Sequence, residues 1–161
     1  MEQIAEAIKK FILEDVNAEL SGLASEGVTL PQIAEKNIVF GTVDLSRYEA
    51  GVIVSILPET QQPDEEFING FSDRSEFTVT FLFQKEKYSL LVKRMFRYAK
   101  AFRIAQAKNP ELSNVDGTTK LGVEDTEITQ IQFYPDTGAV AQQMTAFEIS
   151  LATDTEEVLA E

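Results

Sequence analysis

Acidic side chains are the residues of this chain whose types and spacing come closest to those of a chemical site. The 161 residues include 27 Asp and Glu, three of them adjacent as Asp64-Glu65-Glu66. Adjacent carboxylates are a ligand type that hard cations such as Ca²⁺ prefer. A second stretch, Asn114-Val115-Asp116-Gly117, has the composition of a calcium-loop start but lacks the DxDxDG spacing and the closing Glu. We therefore interpret both stretches as solvated loop acids and predict no metal site.

The residue types of most catalytic centres are missing. The chain has no His and no Cys, which removes the commonest general base and the usual zinc ligands. Neither GxxxxGK[ST] nor GxGxxG occurs, so no nucleotide-binding loop is predicted. A carboxylate pair brought together from distant positions stays open, although nothing distinguishes any one pair. We expect no enzyme, no catalytic residue and no cofactor.

The element that best positions charge is an amphipathic helix predicted over residues 88–109, ending before Pro110. The window from Lys85 to Lys108 holds eight of the chain's 14 basic residues and one acid, Glu86. Such a basic face is most often a solvated surface, whereas apolar side chains within it are typical of a contact with another subunit, and the sequence leaves both open. The interface candidates on this helix are Lys93, Arg94, Phe96, Arg97, Lys100, Arg103 and Ile104. Its apolar stripe comprises Leu91, Met95, Tyr98, Phe102 and Ala105.

Residues 58–76 are predicted to form a projecting acidic loop, because Pro58 closes a short apolar strand and the segment is rich in Pro and acids. Its interface candidates are Asp64, Glu65, Glu66 and Phe67. The apolar residues Phe67, Ile68 and Phe71 either pack back onto their own domain or dock on a neighbour, and the sequence leaves both open.

The remaining patterns predict a single domain spanning residues 1–161. Its N-terminal helix runs from Glu2 to about Gly22, and one short strand lies at residues 38–40. Alternation predicts strands at residues 77–84, 127–134 and 144–152, beside the apolar strand 52–57. The last two form a hairpin through a turn at residues 135–143, and the acidic end, residues 153–161, is typical of a frayed terminus. The fold class is α+β, with two layers: a mostly antiparallel sheet of about four strands, covered by the long central helix and the N-terminal helix.

Charge and hydropathy indicate which kinds of partner and compartment suit the chain. The net charge of −13 argues against specific nucleic-acid binding, which depends on neutralised phosphates. No stretch approaches the roughly 20 apolar residues that span a bilayer, and the first residues lack the order of a signal peptide. We expect assembly in a cytoplasm and no membrane contact.

The order of these elements is similar to that of the tail terminator (tail completion) proteins of tailed bacteriophages, or of related head-tail connector and neck proteins. The segments that carry the resemblance are EAIKKFILE, GVIVSILPE, FTVTFLF, ITQIQFYP and MTAFEISLAT. The resemblance implies a structural virion protein, assembled in the host bacterial cytoplasm. Such a protein forms a ring, commonly a hexamer, at the head-proximal end of the tail. There it ends tail-tube polymerisation and joins the tail to the neck or head.

The implied partners are further copies of the chain, the tail-tube protein and the neck or connector proteins. In such a ring, the basic helix and the acidic segment 58–76 are a candidate complementary pair, and an acidic lumen lets DNA pass without binding it. Two alternatives remain: another connector, neck or minor structural protein, and a monomeric acidic binding module or inhibitor.

Overall fold

Helices cover one face of the fold in this computed structural model, which describes residues 1–43, 51–84, 88–112, 121–134 and 144–159. The N-terminal helix has three parts: α1 (Glu2–Phe11), a π-helical turn (Ile12–Val16) and α2 (Asn17–Leu23). The central helix, α3, spans Tyr88–Lys108. Both helices predicted from hydrophobic periodicity are therefore confirmed.

The described residues form a sheet of five strands in the order β1-β2-β3-β5-β4. The strands are β1 (Ile38–Phe40), β2 (Ile53–Phe67), β3 (Gly70–Gln84), β4 (Leu121–Tyr134) and β5 (Met144–Val158). Among the described strands, β1 and β2 pair in parallel, and the other pairs are antiparallel. The expected α+β class and the mostly antiparallel sheet are confirmed, with one strand more than the expected four.

Alternate residues of the central strands form the core with the helices. Phe77, Val79, Phe81 and Phe83 of β3 are all buried, as their period-two spacing predicts. The ring of Phe102 from α3 packs edge-to-face on Phe81, with ring centroids 6.1 Å apart. It also packs edge-to-face on Phe11 of α1, at 5.2 Å. One aromatic ring thus joins the sheet and both helices.

The prediction of an acidic loop at residues 58–76 is wrong, because β2 continues through Pro58 to Phe67 and pairs with β3 along its length. A proline lacks the N–H that a central strand needs, but β1 pairs only with Val54, Ser55 and Ile56 of β2, so the outer edge beyond them needs no donor. The register shifts between Pro58 and Thr60, and again between Pro63 and Glu65. We call residues 58–76 the acidic hairpin.

The acidic C-terminal residues are also strand, so the prediction of a frayed end is wrong as far as residue 158. β5 continues to Val158 because it pairs on both sides, with β3 and β4. The N–H of Leu159 then donates to the carbonyl oxygen of Asn69 at 2.7 Å. The expected turn at residues 135–143 and the calcium-like stretch at residues 114–117 lie outside the described residues.

Candidate subunit interface

Two of the predicted interface arginines stabilise the chain's own fold. Arg97 donates to the carbonyl oxygens of Leu23 at 3.1 Å and Ser25 at 2.8 Å. Arg94 donates to the backbone carbonyl oxygen of Thr29 at 3.0 Å and to its hydroxyl at 2.9 Å. Both side chains hold the segment that leaves α2, so neither is spare for a partner.

Two buried side chains, Asn17 and Tyr98, also hold the segment that follows α2. Asn17 donates to the carbonyl oxygen of Ile33 at 2.9 Å and accepts from its N–H at 2.8 Å. The hydroxyl of Tyr98 donates to the carbonyl oxygen of Pro31, and burial raises the pKa of that hydroxyl above its usual value. These bonds pair backbone groups that no helix or strand satisfies.

Three further basic residues of α3 face solvent around an exposed aromatic pair, whereas Lys108 pairs with Glu19. Lys93, Lys100 and Arg103 are exposed, and none forms a hydrogen bond or ion pair with any described part of the chain. Phe96 is 55% exposed and packs edge-to-face on Phe133 of β4, with ring centroids 5.1 Å apart. We call the five residues Lys93, Phe96, Lys100, Arg103 and Phe133 the basic patch. Apolar rings that stay exposed among unpaired cations are typical of a surface that meets a partner.

A groove between α3 and β4 borders the basic patch. Arg103, Gln106, Ile128 and Ile131 line it, and the side-chain amide of Gln106 donates to the carbonyl oxygen of Thr126 at 2.7 Å. Ile104, the remaining candidate on α3, is half-buried beside the exposed residues. Within the described ranges, no three acidic side chains lie close enough together to hold a metal ion.

The acidic hairpin ends in an exposed apolar cluster. Asp64, Glu65 and Glu66 are all exposed, and the tip residue Ile68 is 92% exposed. Phe67, Val158 and Leu159 lie beside it, each between 40% and 49% exposed. We call Phe67, Ile68, Val158 and Leu159 the hairpin tip. Of the three apolar side chains whose packing the sequence left open, Ile68 lies almost wholly in solvent, Phe67 is 41% exposed and Phe71 is half-buried.

Negative charge is concentrated around the hairpin tip. Residues 59–76, 121–127 and 153–159 together contain twelve acidic residues and one basic residue, Arg74. Arg74 pairs with Asp154 at 3.0 Å and Glu127 at 2.7 Å, and the hydrogen bonds to Glu127 and Asp154 raise the pKa of its guanidinium. A hydrogen bond to Glu156 raises the pKa of the Glu124 carboxyl. This end of the sheet thus carries most of the net charge of −13.

The basic patch and the hairpin tip lie at opposite ends of the sheet. Phe133 is opposite Phe147, which is opposite Phe81 of β3, whereas Val158 is opposite Gly70. The eleven residue steps from Gly70 to Phe81 correspond to about 35 Å of strand. The fold therefore does not bring the two groups of sequence-predicted candidates together within one copy.

Sequence reasoning missed three members of these surfaces. Phe133 lies in the predicted strand 127–134, and its place on the edge strand β4 leaves it exposed. Val158 and Leu159 were assigned to a frayed end. The available signal was two adjacent large apolar residues inside an acidic segment, which a purely solvated terminus does not need.

Comparisons with known proteins identify a shared fold. The chain is similar to a chain in the solved structure "Virion of native gene transfer agent (GTA) particle", with a TM-score of 0.50 and 11% sequence identity. The similarity covers 90% of this chain and 97% of the other. No family model and no curated protein matches the sequence. In the described segments, no helix has the length and hydropathy of a membrane span.

Proposed function

We propose that this chain is a structural protein of a phage-like virion. The observation that carries the proposal is the similarity in fold to a virion chain, which extends over 97% of that chain and 90% of this one. Because the similarity covers nearly all of both chains, it supports a comparable whole subunit rather than one shared motif. The absence of His and Cys from the whole sequence agrees with a role in assembly without chemistry.

Within the virion, we place the chain in a ring at the head-proximal end of the tail, where it ends tail-tube polymerisation and contacts the neck or connector. The order of helices and strands, which resembles that of tail terminator proteins, supports this position. Two unlike surfaces at opposite ends of the sheet also favour a ring. A contact between different patches on successive copies closes into a ring when the rotation between copies permits it.

The concentration of carboxylates at one end of the sheet suits a particle through which DNA passes. A surface with twelve acids and one base repels phosphates, so DNA moves past it without being held. The partners that follow are further copies of the chain, the tail-tube protein and a neck or connector protein.

The first test of this function is the solution mass of the full chain by light scattering, combined with negative-stain electron microscopy. We expect a closed ring of about six copies. A monomer at every concentration would contradict the ring. It would favour the alternative function, an acidic binding module that uses its carboxylates against a basic partner.

The second test uses the tail-tube protein encoded with this chain in its own particle. We expect tubes assembled with the chain present to be short, with the chain at one end when it is labelled with gold. Tubes that grow to the same length with and without the chain would contradict a terminator role and leave a neck or connector position.

A further inference from the structure

We propose that the hairpin tip of one copy docks on the basic patch of the next copy, so that the ring is built by a head-to-tail contact. This inference rests on the proposed function and names the surfaces that join successive subunits. The occupant of the basic patch is therefore a second copy of this chain.

The two surfaces are alike in leaving large apolar side chains exposed to solvent. Ile68 is 92% exposed and Phe96 is 55% exposed. Phe96 is held in place by its edge-to-face contact with Phe133, which in turn packs on Phe147 at 5.7 Å. The packed rings of Phe96 and Phe133 thus form an apolar surface in the basic patch. Ile68, an exposed aliphatic side chain at the turn of the hairpin, would pack on this surface. Such anchors, packed at the centre of a contact, supply most of its binding energy.

The charges around these apolar groups are complementary. Asp64, Glu65 and Glu66 directly precede the tip, and all three are exposed. Lys93 and Lys100 flank Phe96 on the helix surface, one turn before and one turn after it. Arg97 pairs with Glu26 and Lys108 with Glu19, but Lys93, Lys100 and Arg103 form no ion pair with a described residue. These three exposed cations steer an acidic hairpin toward the basic patch and fix its orientation.

The geometry requires the contact to join different copies. The tip and the basic patch of one copy are separated by about 35 Å of strand, so a chain cannot fold its own hairpin onto its own helix. The tip is accessible to a neighbour, because it lies at the end of the sheet, where Val158 is opposite Gly70 and Ile68 is 92% exposed. A contact between two unlike patches is heterologous, and it propagates to a ring or a filament.

The hairpin is also built to dock through side chains rather than by adding a strand. Its outer edge carries Pro58 and Pro63, and the pairing register shifts next to each proline. Prolines and bulges on an edge prevent strand addition by another chain. The contact is therefore concentrated at the tip.

Site-specific cross-linking tests the contact directly, because the chain has no Cys of its own. We would mix the single variants Ile68→Cys and Lys100→Cys and treat them with a short bismaleimide. We expect a cross-linked dimer that contains one copy of each variant. The matched control replaces Lys100→Cys with Lys10→Cys, on the exposed surface of α1, and it should give no such dimer.

The mass of the same samples separates failure of this inference from failure of the proposed function. A ring that forms without the Ile68–Lys100 cross-link overturns the docking and leaves the ring standing. Efficient cross-linking of Ile68→Cys to itself means a tip-to-tip contact and also overturns it. A chain that is monomeric and gives no cross-link overturns both proposals.

Charge reversal provides an independent test. We expect Lys93→Glu/Lys100→Glu and Glu65→Lys/Glu66→Lys each to weaken self-association by about tenfold or more. A mixture of the two double variants should regain part of the loss, because each supplies the charge that the other lacks. Lys10→Glu/Lys36→Glu makes the same change of charge at exposed sites elsewhere and should associate as the wild type does. Equal weakening in this control, or no recovery in the mixture, would contradict the docking.

Discussion

The guanidinium of Arg97 donates a hydrogen bond of 3.1 Å to the carbonyl oxygen of Leu23, the last residue of α2. The last carbonyls of a helix have no partner within the helix, and the helix dipole places partial negative charge there. A charged donor from α3 therefore caps α2. The basic face of α3 is thus not uniform: Arg94 and Arg97 hold the chain's own fold, whereas Lys93 and Lys100 are exposed and form no ion pair with a described residue.

The first prediction separates these two groups of basic residues. Arg97→Met keeps much of the side-chain packing but leaves the carbonyl oxygens of Leu23 and Ser25 without this donor. We expect a loss of about 1–3 kcal/mol in the free energy of unfolding, measured by denaturant titration. Lys100→Met removes the same charge from an exposed site and should change stability by less than about 0.5 kcal/mol. Equal losses in the two variants would contradict this division.

The second prediction concerns the buried amide of Asn17. Asn17→Ala removes the donor to Ile33 O and the acceptor of Ile33 N–H, leaving both backbone groups unpaired in the interior. We expect a loss of about 2–4 kcal/mol in the free energy of unfolding. The exposed Ser21, whose hydroxyl donates to Ala18 O at 3.3 Å, is the control, and Ser21→Ala should be nearly neutral. A neutral Asn17→Ala would mean that this segment is not held by the amide.

The third prediction concerns the close packing beside the hairpin tip. A Cβ at Gly70 would lie 2.2 Å from the ring of Phe67 and 2.6 Å from the carbonyl oxygen of Glu157. The ring can move, but the carbonyl oxygen belongs to the paired strand β5. We expect Gly70→Ala to cost about 1–3 kcal/mol in thermal or denaturant unfolding. Gly122→Ala meets no atom within 4 Å on the neighbouring edge strand and is the matched control. Equal stability of the Gly70→Ala and Gly122→Ala variants would mean that the carbonyl oxygen of Glu157 does not exclude a side chain at residue 70.

The fourth prediction is a dependence of stability on pH. The hydrogen bond to Glu156 raises the pKa of Glu124 above its ordinary value of 4.5. The folded chain therefore holds this proton more tightly than the unfolded chain. Its contribution to stability is complete below that ordinary value and is lost as the pH rises through the raised value. Glu124→Gln should thus raise the melting temperature relative to the wild type at neutral pH, and this advantage should disappear in acid.

The control for this effect is Glu111→Gln, which removes one charge from an exposed residue outside the acidic end of the sheet. The melting temperatures of both variants and the wild type should be compared at neutral pH and below the ordinary glutamate pKa. An advantage of Glu124→Gln that is the same at both pH values would contradict the coupling between the two carboxyls.

Periodicity identified the main elements because it reports which face of an element is buried. Leu91, Met95 and Phe102 repeat at helical spacing, and all three are buried in the core. Phe77, Val79 and Phe81 alternate, and they form the core face of β3. The fold class followed from these two patterns, since each apolar face needs the other to cover it.

The acidic hairpin could not be recognised in the same way. Its residues are polar on both faces and include two prolines, so they carry neither the alternation nor the propensity of a strand. Pairing with β3 makes them a strand, and that pairing depends on neighbours distant in sequence. β3 itself is secured by β5, in the register that places Arg74 opposite Asp154.

The sequence alone determined the α+β class, both helices, the buried stripes and the missing chemistry of His and Cys, because these depend on residue type and local spacing. Tertiary structure alone decided which charges are available to a partner. Arg97 and Lys100 are both basic residues on one helix face, yet only Arg97 meets the carbonyls at the end of α2. The distance between the hairpin tip and the basic patch was likewise set by strand register, a long-range property that no local pattern contains.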